Sequence, residues 1–363
     1  MPPLPPTPGI VEGCLPGHYA QIAAQNTYPG SWLANQFEDF AEWRAQTRQT
    51  LRAALLMPES HRPFQPRLVD DQPRGSYRAR KIHFNITDES RVPALLLRPN
   101  RPGPRPAVLL LHDHGAEFSI GKEKLIRPWG DRAQLAAAHL WADRYYSGRF
   151  IGDELAKRGY VVLAVDMRGW GERGPLSYEQ QQALACNYFC LGRSLAGEVA
   201  YEDMRALAFL ASLSGVDPQR VGVLGFSLGG FRAWQLAALS EQAAATAALG
   251  WFGSYPGLIA PGNNLLRGQS AFYTVHPGIP AQLDIPDIAA LAAPRPLLLI
   301  NGEEDAMFPP EAVRAGYEKV ARVWASQQVP ERLDTRLWPG LGHRFDRPQQ
   351  QAVFEWFERW LKP

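Results

Sequence analysis

The chain is poor in cysteine: Cys14, Cys186 and Cys190 are all it has in 363 residues. An odd, small count excludes a disulfide framework. The spacing would allow a Cys186–Cys190 bridge, but two thiols in a reducing cytoplasm is the simpler reading. None of the three flanks a metal-ligand cluster, so no zinc site is expected. A surplus of one charge is also missing. The 38 basic and 36 acidic residues leave a formal charge of +2, too little to draw the chain to nucleic acid or to an anionic membrane. No apolar run reaches membrane-spanning length. The opening MPPLPPTPGIVEGCLPGHYAQ has neither the basic segment nor the apolar stretch of a secretory signal. Together these absences point to a cytoplasmic protein with no nucleic-acid or membrane partner. Oligomeric state is not legible in them.

What is present suits one large globular unit. The apolar fraction of 45% is ordinary, and the length suffices for a sizeable core. The first thirty or so residues, rich in proline and glycine and without periodicity, read as an extended arm on the main body or as a partly disordered segment. A helix is expected over about Phe37 to Met57, with Phe40, Trp43, Leu51, Ala54 and Leu55 near one face and Pro58 as its stop. Residues 1–72 thus form an N-terminal arm and helical extension, and 73–363 the main domain. Tyr77 to Ile86 and Val92 to Leu97 look like an antiparallel entry hairpin. Short continuous apolar runs follow at Ala107–Leu111, Val161–Val165, Val221–Leu224, Thr246–Leu249 and Leu297–Ile300, separated by helical stretches. Such alternation predicts an α/β fold with a doubly wound, mostly parallel sheet buried on both faces. Ligands then bind at the carboxyl ends of the strands. Two long insertions at that edge, about 171–196 and 251–287, are expected to form lid-like pocket walls.

The chemistry starts at Gly225-Phe226-Ser227-Leu228-Gly229-Gly230. G-x-S-x-G alone is a weak pattern. Here a buried strand, Val221–Leu224, precedes it and a helical stretch, FRAWQLAALS, follows. A serine on a sharp strand-to-helix turn has its hydroxyl lifted above the sheet, and glycines two residues to either side let strand and helix pass closely. Ser227 is the expected nucleophile. The N–H of Leu228, at the opening of the helix, is free to face a developing oxyanion.

A serine hydroxyl needs a base, and on such a scaffold the partners follow in the order serine, acid, histidine. Of the eight histidines, only His343, in Pro339-Gly340-Leu341-Gly342-His343, lies beyond the next candidate acid. That acid should follow the strand Leu297–Ile300, where Glu303, Glu304 and Asp305 compete. Asp305 is preferred, standing after a glycine turn and just before a proline-marked helix start. It would orient His343 and stabilise its imidazolium.

The strand Ala107–Leu111 runs into His112-Asp113-His114-Gly115. The loop after this strand supplies a second oxyanion N–H, with His114 or Asp113 as the candidate and Gly115 allowing the turn. H-x-H spacing also occurs in metal sites, but no further ligand is clustered nearby. The polar side chains read better as braces, with Lys122, Glu123 and Lys124 anchoring the far end of the loop. Trp170 and Trp251 follow strands at the carboxyl edge and are expected to line a pocket, together with Asp113. Trp32, Trp43, Trp324, Trp356 and Trp360 read as packing.

LLLHDHGAEFSIGKEK, VVLAVDMRGWGERG, VGVLGFSLGG, APRPLLLINGEEDAMFP and PGLGHRF together resemble the dienelactone-hydrolase-like and acetyl-xylan-esterase-like branch of the α/β-hydrolase superfamily. The likeness runs from about residue 75 to the C-terminus. The N-terminal helix with Trp43, Arg48 and Arg52 also resembles the extension of that esterase branch. The resemblance implies a carboxylic-ester hydrolase that works without metal or organic cofactor on a small-molecule or carbohydrate ester. One departure counts: dienelactone hydrolases proper use cysteine as nucleophile, and here the position holds Ser227. A prolyl-oligopeptidase-like peptidase or amidase shares the architecture, but no propeller domain precedes the hydrolase part. A non-catalytic binding protein on this scaffold would show a broken triad.

Overall fold

The computed structural model describes residues 9–11, 15–266 and 269–362; Cys14 lies outside them. The main sheet has nine strands, numbered here along the chain: β1 (Arg67–Arg74), β2 (Tyr77–Asn85), β3 (Arg91–Pro99), β4 (Arg105–Leu111), β5 (Val161–Val165), β6 (Val216–Phe226), β7 (Ala245–Leu249), β8 (Leu297–Gly302) and β9 (Leu333–Trp338). Their spatial order is β1-β2-β3-β5-β4-β6-β7-β8-β9. The first three strands form an antiparallel meander, and β3 pairs antiparallel with β5. Every other pairing is parallel. The expected α/β fold is the observed one. From β4 the chain crosses to β5 on one side and then to β6 on the other. The strand order therefore reverses at β4, which opens a crevice at the carboxyl ends of β4 and β6.

Strand periodicity sends alternate residues to opposite faces. On β4, Leu109 and Leu111 join one buried cluster while Val108 and Leu110 join the other. On β6, Val221 and Val223 oppose Leu224 and Phe226 in the same way. Burial on both faces explains why these strands read as unbroken apolar runs.

The N-terminal helix spans Phe40–Ala54, capped by Asp39, whose side chain accepts from the Glu42 N–H at 2.7 Å. Trp43, Thr47 and Leu51, each four residues apart, are buried on one face, followed by Leu55. Its arginines reach the C-terminal end of the helix Leu228–Leu239. Arg48 Nε donates to Ala238 O at 2.8 Å, and Arg52 Nη2 donates to Leu239 O at 2.8 Å. Arg295 adds a bond to Ser240 O at 2.8 Å and another to Ala237 O. Cations that bond the last carbonyls of a helix complement both its unsatisfied acceptors and its dipole. The extension thus fastens the helix that begins at Ser227.

The arm read as extended carries a short helix, Tyr19–Ala24, and two further elements run outside the expected pattern. β1 is an exposed edge strand, with Leu68 and Val69 both 54% exposed. The helix Arg132–Tyr145, capped by Asp131, leads into the neighbourhood of the site. Among the described residues, no helix is long and apolar enough to cross a membrane.

Candidate active site

Ser227 sits between β6 and the helix Leu228–Leu239 with φ 56° and ψ −127°, a backbone region that costs an L-residue energy. Its N–H is tied to Leu249 O on β7 at 2.8 Å. The flanking glycines show why the turn holds. A Cβ on Gly225 would lie 1.9 Å from Gly229 O, one on Gly229 2.0 Å from Leu111 O, and one on Gly230 2.3 Å from Leu249 O. Each distance is far inside van der Waals contact, so strand β6, the helix, β4 and β7 come this close only because these residues lack side chains.

β8 and β9 run side by side, with Gly302 opposite Trp338. Their loops stay paired beyond the sheet: Glu303 N donates to Trp338 O and Glu304 N to Leu341 O, both at 2.9 Å. This holds Asp305 next to His343. His343 Nδ1 lies 2.6 Å from Asp305 Oδ2, and His343 Nε2 lies 2.8 Å from Ser227 Oγ. Asp305 is 3% exposed, and its second oxygen accepts from Met307 N–H at 3.0 Å. The competing acids point elsewhere. Glu303 pairs with Arg314 at 2.9 Å, and both Glu303 and Glu304 are exposed. The structure therefore brings Ser227, His343 and Asp305 into one hydrogen-bonded line. The geometry allows proton transfer from the hydroxyl to an imidazole whose other nitrogen faces a buried carboxylate.

The line opens into a cavity of about 370 Å³ lined by His114, Gly115, Ala116, Tyr145, Tyr178, Ser227, Leu228, Trp251, Leu265, Leu266, Ala271, Thr274, Met307, Phe308 and His343. Both insertions contribute. Tyr178 comes from the first, at the start of the helix Tyr178–Cys190; Trp251, Leu265, Leu266, Ala271 and Thr274 come from the second. Leu228, in the first helical turn, has no intrahelical acceptor for its N–H, and it borders the cavity.

Two expected pocket residues are not in the cavity wall. Asp113 is 2% exposed. One of its oxygens takes hydrogen bonds from Tyr146 OH at 2.5 Å and Trp141 Nε1 at 3.2 Å, and Lys124 Nζ lies 3.5 Å from the other. A buried carboxylate held by two interior donors on one oxygen and by an ion pair on the other is a brace beneath the loop. Trp170 is fully buried, and its indole N–H donates to His114 O at 2.9 Å. Its position after β5 is as expected, but the ring turns inward because that carbonyl draws its only polar atom. Trp251 does line the cavity. Sequence reasoning missed Tyr145, Tyr178, Met307 and Phe308. The last two could have been found, since they stand two and three residues after Asp305 on its loop.

His112 and His114 are held by loop bonds. His112 Nδ1 donates to Asp113 O at 2.8 Å while Nε2 accepts from Met167 N–H at 3.0 Å, so the ring is neutral, and burial holds its pKa well below the ordinary value. Burial, aided by Lys124, lowers His114 to about 4. Among the described residues one group has metal-ligand geometry: Glu123, Asp166 and Glu172. Lys122 Nζ lies 2.7 Å from a carboxylate oxygen of each. Burial alone would pull this ammonium down, but the three carboxylates outweigh it and hold its pKa above the ordinary value. Lys122 thus anchors the loop's far end, as its position suggested.

The second insertion is fastened to the nucleophile helix by His276. This ring is buried; it contacts Gln235 Oε1 at 2.6 Å and Tyr255 OH at 3.0 Å. Burial lowers its pKa from 6.5 to about 3. A folded-state pKa below the unfolded one means the unfolded chain binds the extra proton, so stability from neutral His276 is present above about pH 6.5 and is lost as pH falls towards 3. Replacing His276 by asparagine removes that loss. The stability cost of His276→Asn, read by urea denaturation, should therefore shrink by about 2 kcal/mol between pH 7 and pH 5, from about 1.4 kcal/mol per pH unit. A cost independent of pH would show the ring to be charged or solvated.

Comparison with known proteins agrees with this geometry. The model of the dienelactone hydrolase family matches residues 146–358, more than half of the chain. YtaP of Bacillus subtilis (strain 168), provisionally named a hydrolase, is 29% identical over 285 residues, covering 78% of this chain and 89% of its own. A Bacteroides fragilis NCTC 9343 protein, provisionally assigned as an acetyl xylan esterase, superposes with a TM-score of 0.70 at 18% identity, over 94% of each chain. A glucuronoyl esterase from Solibacter usitatus superposes with a TM-score of 0.64 at 15% identity, over 98% of each chain. At such identities the solved structures speak for the fold.

Proposed function

Because the chain belongs to the dienelactone hydrolase family, and because it places a serine where dienelactone hydrolases proper hold cysteine, we propose that it is a serine carboxylesterase. The observation that carries this reading is the line Ser227–His343–Asp305 at 2.8 and 2.6 Å, opening on a cavity. In the proposed reaction His343 Nε2 takes the Ser227 proton as Oγ attacks the ester carbonyl. The π pair moves onto the carbonyl oxygen, which accepts hydrogen bonds from Leu228 N–H and from the 112–115 loop. His343 then protonates the departing alcohol, and an acyl-enzyme remains. Water, deprotonated by His343, releases the acid and restores Ser227.

We further propose a carbohydrate acetyl ester as the physiological substrate class. Supporting this are the aromatic side chains around the cavity, Tyr145, Tyr178, Trp251 and Phe308, whose faces suit sugar rings, and a fold shared with proteins named for such activities. The exposed thiols of Cys186 and Cys190 suit the reducing cytoplasm proposed from the sequence. Acetate release from acetylated xylo-oligosaccharides, compared with p-nitrophenyl acetate and butyrate, tests the substrate class. The expected order is sugar acetates and p-nitrophenyl acetate above butyrate. Preference for long acyl chains, or cleavage of peptide substrates in place of esters, would contradict it.

A further inference from the structure

The proposed reaction requires a second oxyanion donor, and the bonds beneath the 112–115 loop indicate what aims it. The carbonyls of residues 112, 113 and 114 are held by donors from the protein interior. His112 O accepts from Arg232 Nη1 at 3.3 Å. Asp113 O accepts from the His112 ring at 2.8 Å and from Lys124 Nζ at 3.3 Å. His114 O accepts from Lys124 Nζ at 2.8 Å and from Trp170 Nε1 at 2.9 Å. Lys124 and Trp170 are fully buried and neither borders the cavity, whereas His114, Gly115 and Ala116 do. In a trans peptide the C=O and N–H point in opposite directions. Turning the His114 carbonyl into the interior therefore turns the Gly115 N–H, one residue beyond the His114 candidate read from the sequence, away from the interior, and Gly115 borders the cavity.

We propose that Lys124, with Trp170, is a positioning residue that aims the Gly115 N–H at the oxyanion formed on attack by Ser227. A buried lysine is costly unless satisfied. This one lies 3.5 Å from Asp113 Oδ1 and 4.6 Å from the centre of the Trp141 ring, so its head is held in one place. Gly115 has φ 35°, and a Cβ there would lie 2.0 Å from Trp141, so the same indole that supports Lys124 fixes the turn. A donor set in advance costs no reorganisation when charge develops, and this is how an oxyanion hole acts.

The inference rests on the esterase reading, and its test separates the two. Lys124→Met keeps length and removes the donor; Trp170→Phe keeps ring packing and removes the N–H. Each is measured for kcat and KM on p-nitrophenyl acetate. Inhibition is measured with a trifluoromethyl ketone, whose adduct with Ser227 carries the oxyanion, and with the matching secondary alcohol, which cannot form one. Lys124→Met should lower kcat about 10²–10³-fold with KM within about threefold. Affinity for the ketone should fall by a similar factor, and affinity for the alcohol should stay unchanged. Trp170→Phe should do the same more weakly, about tenfold, and remains informative if Lys124→Met does not fold. Equal losses for ketone and alcohol, a rise in KM alone, or unchanged kinetics in both variants would overturn the proposal. Failure of the unmodified enzyme to form the ketone adduct on Ser227 would instead overturn the esterase reading.

Discussion

Ser227→Ala is expected to lower kcat for p-nitrophenyl acetate by about 10⁵–10⁶-fold while leaving the chain folded. The size follows from what is removed. Without Oγ no acyl-enzyme can form, and only the oxyanion donors and the binding cavity remain to act on direct attack by water. The fold should not notice. The hydroxyl makes one side-chain bond, to His343, and the positive φ is imposed by neighbours that the substitution leaves in place: Gly225, Gly229 and the Ser227 N–H to Leu249 O bond. Equal urea midpoints with activity gone is the expected result. Activity above one per cent of the original would remove Ser227 from the mechanism.

Asp305→Asn should cost about 10⁴-fold in kcat, through proton placement. The Met307 N–H donates to one oxygen of Asp305 and the His343 ring faces the other. Met307 N–H needs an acceptor, so the amide oxygen of asparagine turns to it and the NH₂ group faces His343 Nδ1. That nitrogen must then accept. Its proton moves to Nε2, which can no longer take one from Ser227. The loss should show in kcat, with KM nearly unchanged. Glu303→Gln and Glu304→Gln should stay near the original rate, since the former pairs with Arg314 and both are exposed. If either glutamate variant lost activity and Asp305→Asn kept it, the acid would be misassigned.

Both predictions concern residues legible in the sequence, and the reason is topological. A parallel sheet puts its loops at one edge in chain order. A serine after β6, an acid after β8 and a histidine after β9 can therefore be ordered without coordinates. The parts that were not legible depend on the direction of single side chains. Trp170 and Asp113 stand at strand ends that border the site, yet their polar atoms satisfy interior partners, the His114 carbonyl and the Tyr146 hydroxyl. No periodicity reports such a choice. The edge strand β1 was missed for a different reason. Its Leu68 and Val69 are adjacent and exposed, and the strand is held by ladder bonds to β2 and by Asp71 pairing with Arg78 and Arg80. Without burial on one face there is no alternation to read. The helix Arg132–Tyr145, rich in alanine, buries only Ala138, Trp141 and Ala142, too few for a clear stripe. It nevertheless delivers Tyr145 to the cavity and Trp141 to the base of the Gly115 turn.

Covalent capture tests the central claim most directly. Treatment of the intact chain with a fluorophosphonate should add a single phosphonyl group, with Ser227 Oγ bonded to phosphorus and fluoride released. Peptide mapping should place it on Ser227, and His343→Ala should slow its formation by several orders of magnitude. An adduct on another residue, or none while ester turnover persists, would contradict the assignment of Ser227 as the nucleophile of this enzyme.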